Sequence, residues 1–257
     1  AGVFNNTVGT VGNNLTLTTD ALSVSGPGSI SGGGALTYQP RVAATPMTID
    51  NTTLSAFADG FSSITLGRSD GNALTTVNAV ALNDPTVIRQ GGGGTITVAG
   101  NISGAGDASV TLNAGAAGAI NLNADITTAG QAVAFTGPVL LGGGARSINT
   151  GSANVTFNHG ISGAQDLAIT SDGTTRFVGA VTGLNSLLVT GVSSGLTGVT
   201  AIDTTTITTT GSQTYNFVVL GGPVTLTNTG GGNIGISEVN GAQSLVVNTA
   251  GTTILGA

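Results

Sequence analysis

Apolar residues along this chain recur in pairs two positions apart, with a polar or small residue between them. Leu15/Leu17, Ile96/Val98, Val110/Leu112, Val133/Phe135, Val155/Phe157 and Ile234/Ile236 are examples, spread from one end to the other. Alternation of this kind puts both apolar side chains on one face of a β-strand. The segments between the pairs (GNISGAGDAS, NAGAAGA, TSDGTT, NTGGGN) are rich in Gly, Asn, Asp, Ser and Thr. That is turn chemistry, because Gly and Asn tolerate positive φ and short polar side chains bond to the neighbouring backbone. Glycine and β-branched Thr, Val and Ile disfavour helix throughout. The pattern therefore predicts an all-β chain of many short strands.

Two architectures fit short strands. A sandwich of this length carries longer strands and more aromatic residues at its centre, whereas each strand here offers two or three inward residues and Phe and Tyr together number nine. A solenoid needs no more than that. Each coil turns short strands inward, and the next coil stacks on it at the ~4.8 Å strand spacing, so that like residues form ladders. The spacing of the pairs predicts coils of roughly 20 to 25 residues, about 10 to 12 coils, and a rod on the order of 50 Å long. The expected fold is a right-handed parallel β-helix.

A longer period runs through the same segments. GAQDLAITSDGTTRFV from Gly163 is repeated as GAQSLVVNTAGTTILG from Gly241, and ITTAG from Ile126 returns as ITTTG from Ile207. Both matches give a period of roughly 80 residues, which predicts three or four coils per unit. Regularity is uneven. Residues 118–257 read as regular solenoid, and 1–117 as a less regular part of the same rod. Around residues 38–58 the sequence TYQPRVAATPMTID carries Pro40 and Pro46, which cannot donate to a ladder. A projecting loop or a coil-to-coil irregularity is expected there.

Composition narrows the class. Only 6% of the 257 residues are charged, against about 25% in ordinary globular chains. Hydrophobic residues make up 39% and the net charge is −6, which is not the profile of a disordered chain. Five arginines stand singly at 41, 68, 89, 146 and 176 and there is no lysine, so no basic patch exists to neutralise phosphates and nucleic acid is excluded as a partner class. The absence of cysteine excludes a thiolate metal site and a disulfide scaffold. No apolar run approaches the ~18 residues of a membrane helix, and the chain reads as a segment of something longer.

Candidate chemistry is sparse. Paired carboxylates about 5 to 9.5 Å apart would serve glycoside hydrolysis, and Asp50/Asp70 or Asp107/Asp125 are conceivable pairs one coil apart. Asp70 and Asp172 both sit in Ser-Asp-Gly turns. GAGDAS at 104–109 is only a fragment of a calcium-winding nonapeptide, and the glycine runs at 91–94, 142–144 and 230–232 lack the lysine of a phosphate loop. His159, the only histidine, reads as an exposed turn residue. No catalytic, cofactor-binding or metal-ligating set is expected, and no enzymatic activity. Asparagine and threonine are read as structural, bonding along the rod axis from coil to coil.

DGFSSITLGRSDG from Asp59, GTITVAGNISG from Gly94, DASVTLNAG from Asp107, INLNADITTAG from Ile120 and the GAQSLVVNTAGTT block resemble the β-strand repeats of large bacterial exoproteins of the filamentous-haemagglutinin type. The resemblance implies a right-handed parallel β-helix that is secreted and displayed on the bacterial cell surface as an adhesin or extracellular fibre. Host-cell or matrix glycans are then expected partners. The open ends of such a rod present unpaired strand edges, so further coils of the same polypeptide or further copies stacked end to end are the other expected partners.

Overall fold

The computed structural model describes residues 2–4, 8–10, 12–191 and 197–256. Every strand pairing in it is parallel, and each strand pairs with at least one strand roughly a coil earlier or later in the chain. The chain winds as a β-solenoid of about 11 coils, with strands on three faces. The first face runs from Leu15–Thr18 through Ala35–Gln39, Ser63–Arg68, Thr86–Gln90, Val110–Asn113 and Val199–Ile202 to residues 217–220 and 238–240. The second is a 10-stranded sheet from Met47–Ile49 to Leu245–Asn248. The third runs from Val80–Leu82 through Ile102–Gly104 and Ile126–Thr128 to Thr253–Leu255. Coil length follows from the register. Ile64, Thr86, Val110 and Val133 stack one on the next. One turn of the solenoid therefore takes roughly 23 residues, within the size range of solenoid repeats.

Like residues stack because the register repeats. On the first face one column reads Leu17, Tyr38, Leu66, Ile88, Leu112, Phe135, Phe157, Phe177, Ile202, Leu220. Its three phenylalanines stack nearly parallel, with ring centroids 4.6 Å and 5.5 Å apart. Ring planes held at the strand spacing add attraction beyond the area they bury. On the third face Ile102, Ile126, Ile148 and Ile169 form a second column, all buried.

Asparagine bonds along the rod axis, as the sequence leads one to expect, and aspartate does the same. At the corner between the second and third faces, the Asp125 N–H donates to Asn101 Oδ1 and the Ser147 N–H to Asp125 Oδ1. Further along, the Ser186 hydroxyl donates to Asp166, and the Thr252 N–H to Asn233 Oδ1. The Asn101, Asp125 and Asn233 side chains thereby satisfy backbone amides at or beside the corners.

The sequence repeat does not coincide with a whole number of coils. Leu167–Ser171 lies on the third face, but its copy Leu245–Asn248 lies on the second. Ile126–Thr128 and its copy in Thr206–Thr209 make the same shift from third face to second. Each repeat thus advances by three coils and two faces. The two leading glycines keep one conformation across the shift. Gly163 (φ +117°) and Gly241 (φ +121°) face the carbonyls of Leu141 and Leu220, at which a Cβ would lie 2.5 Å and 2.9 Å away. Only glycine fits such a corner.

Residues 38–58 contain more of the wall than of a loop. Tyr38, Met47, Ile49, Ala56 and Phe57 are buried, while Thr48 and stretches within 41–46 and 51–55 are turned to solvent. Helix is not wholly absent there. Asn51–Leu54 forms a single helical turn in the place of a third-face strand, because the Asp50 carboxylate accepts the Thr53 N–H at 2.8 Å and caps it. Later in the chain Gln213–Leu220 passes from the third face to the first as one unbroken strand.

Candidate binding cleft between two coils

The acids singled out in the sequence are dispersed and occupied. Asp50 caps the helical turn after the second face, while Asp70 lies in the turn after the first, bound at both oxygens by Arg68 (2.7 Å and 2.9 Å). That guanidinium holds the Asp70 carboxyl below its ordinary range. Asp107 lies at the corner between the third and first faces. Asp125 lies at the corner between the second and third, accepting the Ser147 N–H and pairing with Arg146 at 3.5 Å. The topology therefore brings neither pair to one corner. His159 is half-buried, not exposed, with a buried Nδ1 that meets no protein partner. No group of three His, Cys, Asp or Glu among the described residues is placed to hold a metal. Asp84 is the one buried carboxylate among the described residues. Burial pushes its pKa up, with Asp59 and Asp107 adding to this, while the Gly60 N–H donates to it at 2.9 Å and works the other way.

A cleft lies where the solenoid loses a rung. Leu15–Thr18 and Ala35–Gln39 are in full register on the first face, and the Thr19 N–H still reaches the Gln39 carbonyl at 3.0 Å. Beyond that point the coils part. The lower coil turns its corner with residues 19–21 and enters Leu22–Val24, whereas the upper one spends residues 40–46 before entering Met47–Ile49. Among the described residues, Leu22–Val24 pairs only with Gly2–Phe4 below, and Met47–Ile49 only with Leu74–Val77 above. Between them is a cleft of about 360 Å³ lined by Thr19, Asp20, Tyr38, Pro46 and Thr48 among others.

Strand geometry says which groups face it. The Asn78 N–H donates to the Ile49 carbonyl, so Met47 and Ile49 direct their amide groups to the coil above. Alternation then turns the N–H and C=O of Thr48 down into the cleft, along with position 46, where proline has no N–H to give. The same rule holds on this face at Val77 and Val98, whose carbonyls accept from the coil above, and it directs the amides of Leu22 and Val24 up from below. A missing donor at Pro46 and a longer corner account for the lost rung. Arg68 holds that corner in place, donating to the Pro40 carbonyl at 3.1 Å.

Side chains add chemistry to this edge. Asp20 accepts the Arg41 N–H with Oδ1 at 2.9 Å and makes no ion pair among the described residues. The Tyr38 hydroxyl has no partner among the described residues, and burial together with the Asp20 charge pushes its pKa up. The cleft thus combines unpaired backbone, one free carboxylate oxygen and several hydroxyls. The prolines mark the irregularity in the sequence. Thr48 and Asp20 carry no signal of their own, because their exposure depends on how two coils meet.

No family model, curated protein or solved structure matches this chain. Its architecture and its cleft therefore carry the functional reading.

Proposed function

We propose that this chain is a length of shaft in a secreted bacterial adhesin or surface fibre, an extracellular structural element without catalysis. The observation that carries this reading is the uniform stack. About 11 coils share one continuous apolar core, no set of acids among the described residues converges on one face, and charge is nearly absent from the walls. A rod built this way sets a distance and resists bending, since successive coils are hydrogen-bonded along their faces over most of its length. The resemblance of its strand repeats to filamentous-haemagglutinin-type exoproteins supports display outside the cell.

A second reading is a subunit that stacks end to end, for which the last coil offers an apolar edge. Leu245 and Val247 are only half-buried there and Leu255 is 60% exposed, although their counterparts one coil earlier are buried. Another coil laid on this edge, from the same polypeptide or another copy, would cover them. Electron microscopy and solution mass of the purified chain distinguish the two. Discrete rods about 50 Å long at monomer mass fit a shaft segment. Long fibres of uniform width fit a self-stacking subunit, and compact particles of other shape contradict both.

A further inference from the structure

We infer that the cleft between Leu22–Val24 and Met47–Ile49 is a docking slot for an extended peptide carrying a basic side chain, which enters as an added strand between these two strands of the second face. The inference goes beyond the shaft reading and holds wherever the rod is displayed.

Three observations carry it. The slot has a hydrogen-bonding edge on each side, with Thr48 contributing N–H and C=O from above and Leu22 from below, and no ladder joins the two strands. A strand satisfies both edges at every second residue, as peptides do when they add to a sheet. A sugar or a small acid would leave most of these amides unmatched. The volume agrees. One residue of sheet fills about 3.3 by 4.8 by 10 Å, roughly 160 Å³, so a cleft of about 360 Å³ takes two to three residues, the length of the strands that flank it. Finally, the charge at the slot's mouth is Asp20, whose Oδ2 has no partner and which no cation neutralises among the described residues. A lysine or arginine at the adjacent position of the incoming strand would pair with it, and the Tyr38 hydroxyl offers a further bond.

Thr48 provides a clean test. Its amide faces the slot and not the coil above, so Thr48→Pro removes the slot's central donor without breaking the Leu74–Val77 pairing. A random heptapeptide library displayed on phage is selected on the purified chain, and the binders are remade as free peptides for fluorescence anisotropy. The expected binders alternate in polarity, carry a basic residue, and lose at least tenfold in affinity when N-methylated at alternate amides. Thr48→Pro abolishes binding with the melting temperature almost unchanged, and Asp20→Asn, an exposed change that leaves folding alone, weakens it severalfold. A library that yields no binder sensitive to either substitution overturns the inference. So does equal binding of the N-methylated peptides, or a glycan array that finds a saccharide competing at this cleft where peptides do not.

Discussion

The coils from Val110–Asn113 to Thr174–Phe177 and the coils from Leu15–Thr18 to Met47–Ile49 use the same alternation to opposite effect. In the first region every strand has a partner above and below, and the Phe135, Phe157 and Phe177 rings lie on one another. In the second, one long corner with two prolines leaves a strand edge on each side of a cleft, and Tyr38 stacks between Leu17 and Leu66 and meets Phe57 of another face at a tilt of 59°. A solenoid's strength therefore lies in its register and not in any one strand. Where a corner lengthens, the apolar residues stay buried but the ladder opens.

The sharpest contrast is in the core. Phe157→Ala removes the middle ring of a fully buried stack and is expected to cost about 3–5 kcal/mol. Met47→Ala, at the wall of the cleft, is expected to cost roughly 2 kcal/mol, at the low end for a buried Met, because one side already faces an opening. Denaturant unfolding of the two variants beside the parent measures the gap, and equal losses would remove the distinction between the regions. Gly163→Ala is next in size, at roughly 1–3 kcal/mol, since a Cβ there meets the Leu141 carbonyl in a backbone region that L-residues avoid.

A polar island inside the regular core comes after these. Tyr215 is fully buried and donates to Gln213 Oε1 at 2.9 Å, while Gln213 Nε2 donates to Thr209 and to the Thr227 carbonyl. Tyr215→Phe leaves Gln213 Oε1 without its donor and is expected to cost about 1–2 kcal/mol. Alkali tests the same phenol. Burial raises the Tyr215 pKa above the ordinary value of 10.0. Below pH 10 the phenol is protonated whether folded or unfolded, so its contribution to stability is fully present. As pH rises from there through the folded value, the unfolded chain loses the proton first and stability falls. Tyr38 is raised less, and these are the chain's two tyrosines in the absence of tryptophan. Ultraviolet titration is therefore expected to show Tyr38 ionising in the folded rod and Tyr215 only as it unfolds. The smallest effect belongs to the wall. Asp203→Asn breaks an exposed pair with Arg176 and is expected to change stability by less than about 1 kcal/mol.

Much of this fold is legible in the chain because inward and outward positions alternate so strictly. Val110/Leu112, Ile120/Leu122 and Val155/Phe157 read as strands from their spacing and are buried pairs in the structure. Pro40 and Pro46 mark an irregularity, which takes the form of a lost rung with a helical turn beyond it. Other features are hidden for physical reasons. The three faces ask for the same inward pair, so nothing in GAQDL or GAQSL tells which face it joins, and the shift from third face to second shows only in the register. Gln213 and Thr209 look like surface residues and are buried because they satisfy one another. The cleft depends on which way the amides of Thr48 point, a property of pairing between successive coils and not of local sequence.

Residue-resolved hydrogen exchange of the intact chain asks whether one ladder runs the length of the rod and is interrupted between Leu22–Val24 and Met47–Ile49. Slow exchange is expected at Ile120, Val139 and Ile161 on the second face, and fast exchange at Thr48 on the same face. A Thr48 amide as protected as those three would contradict the interrupted ladder.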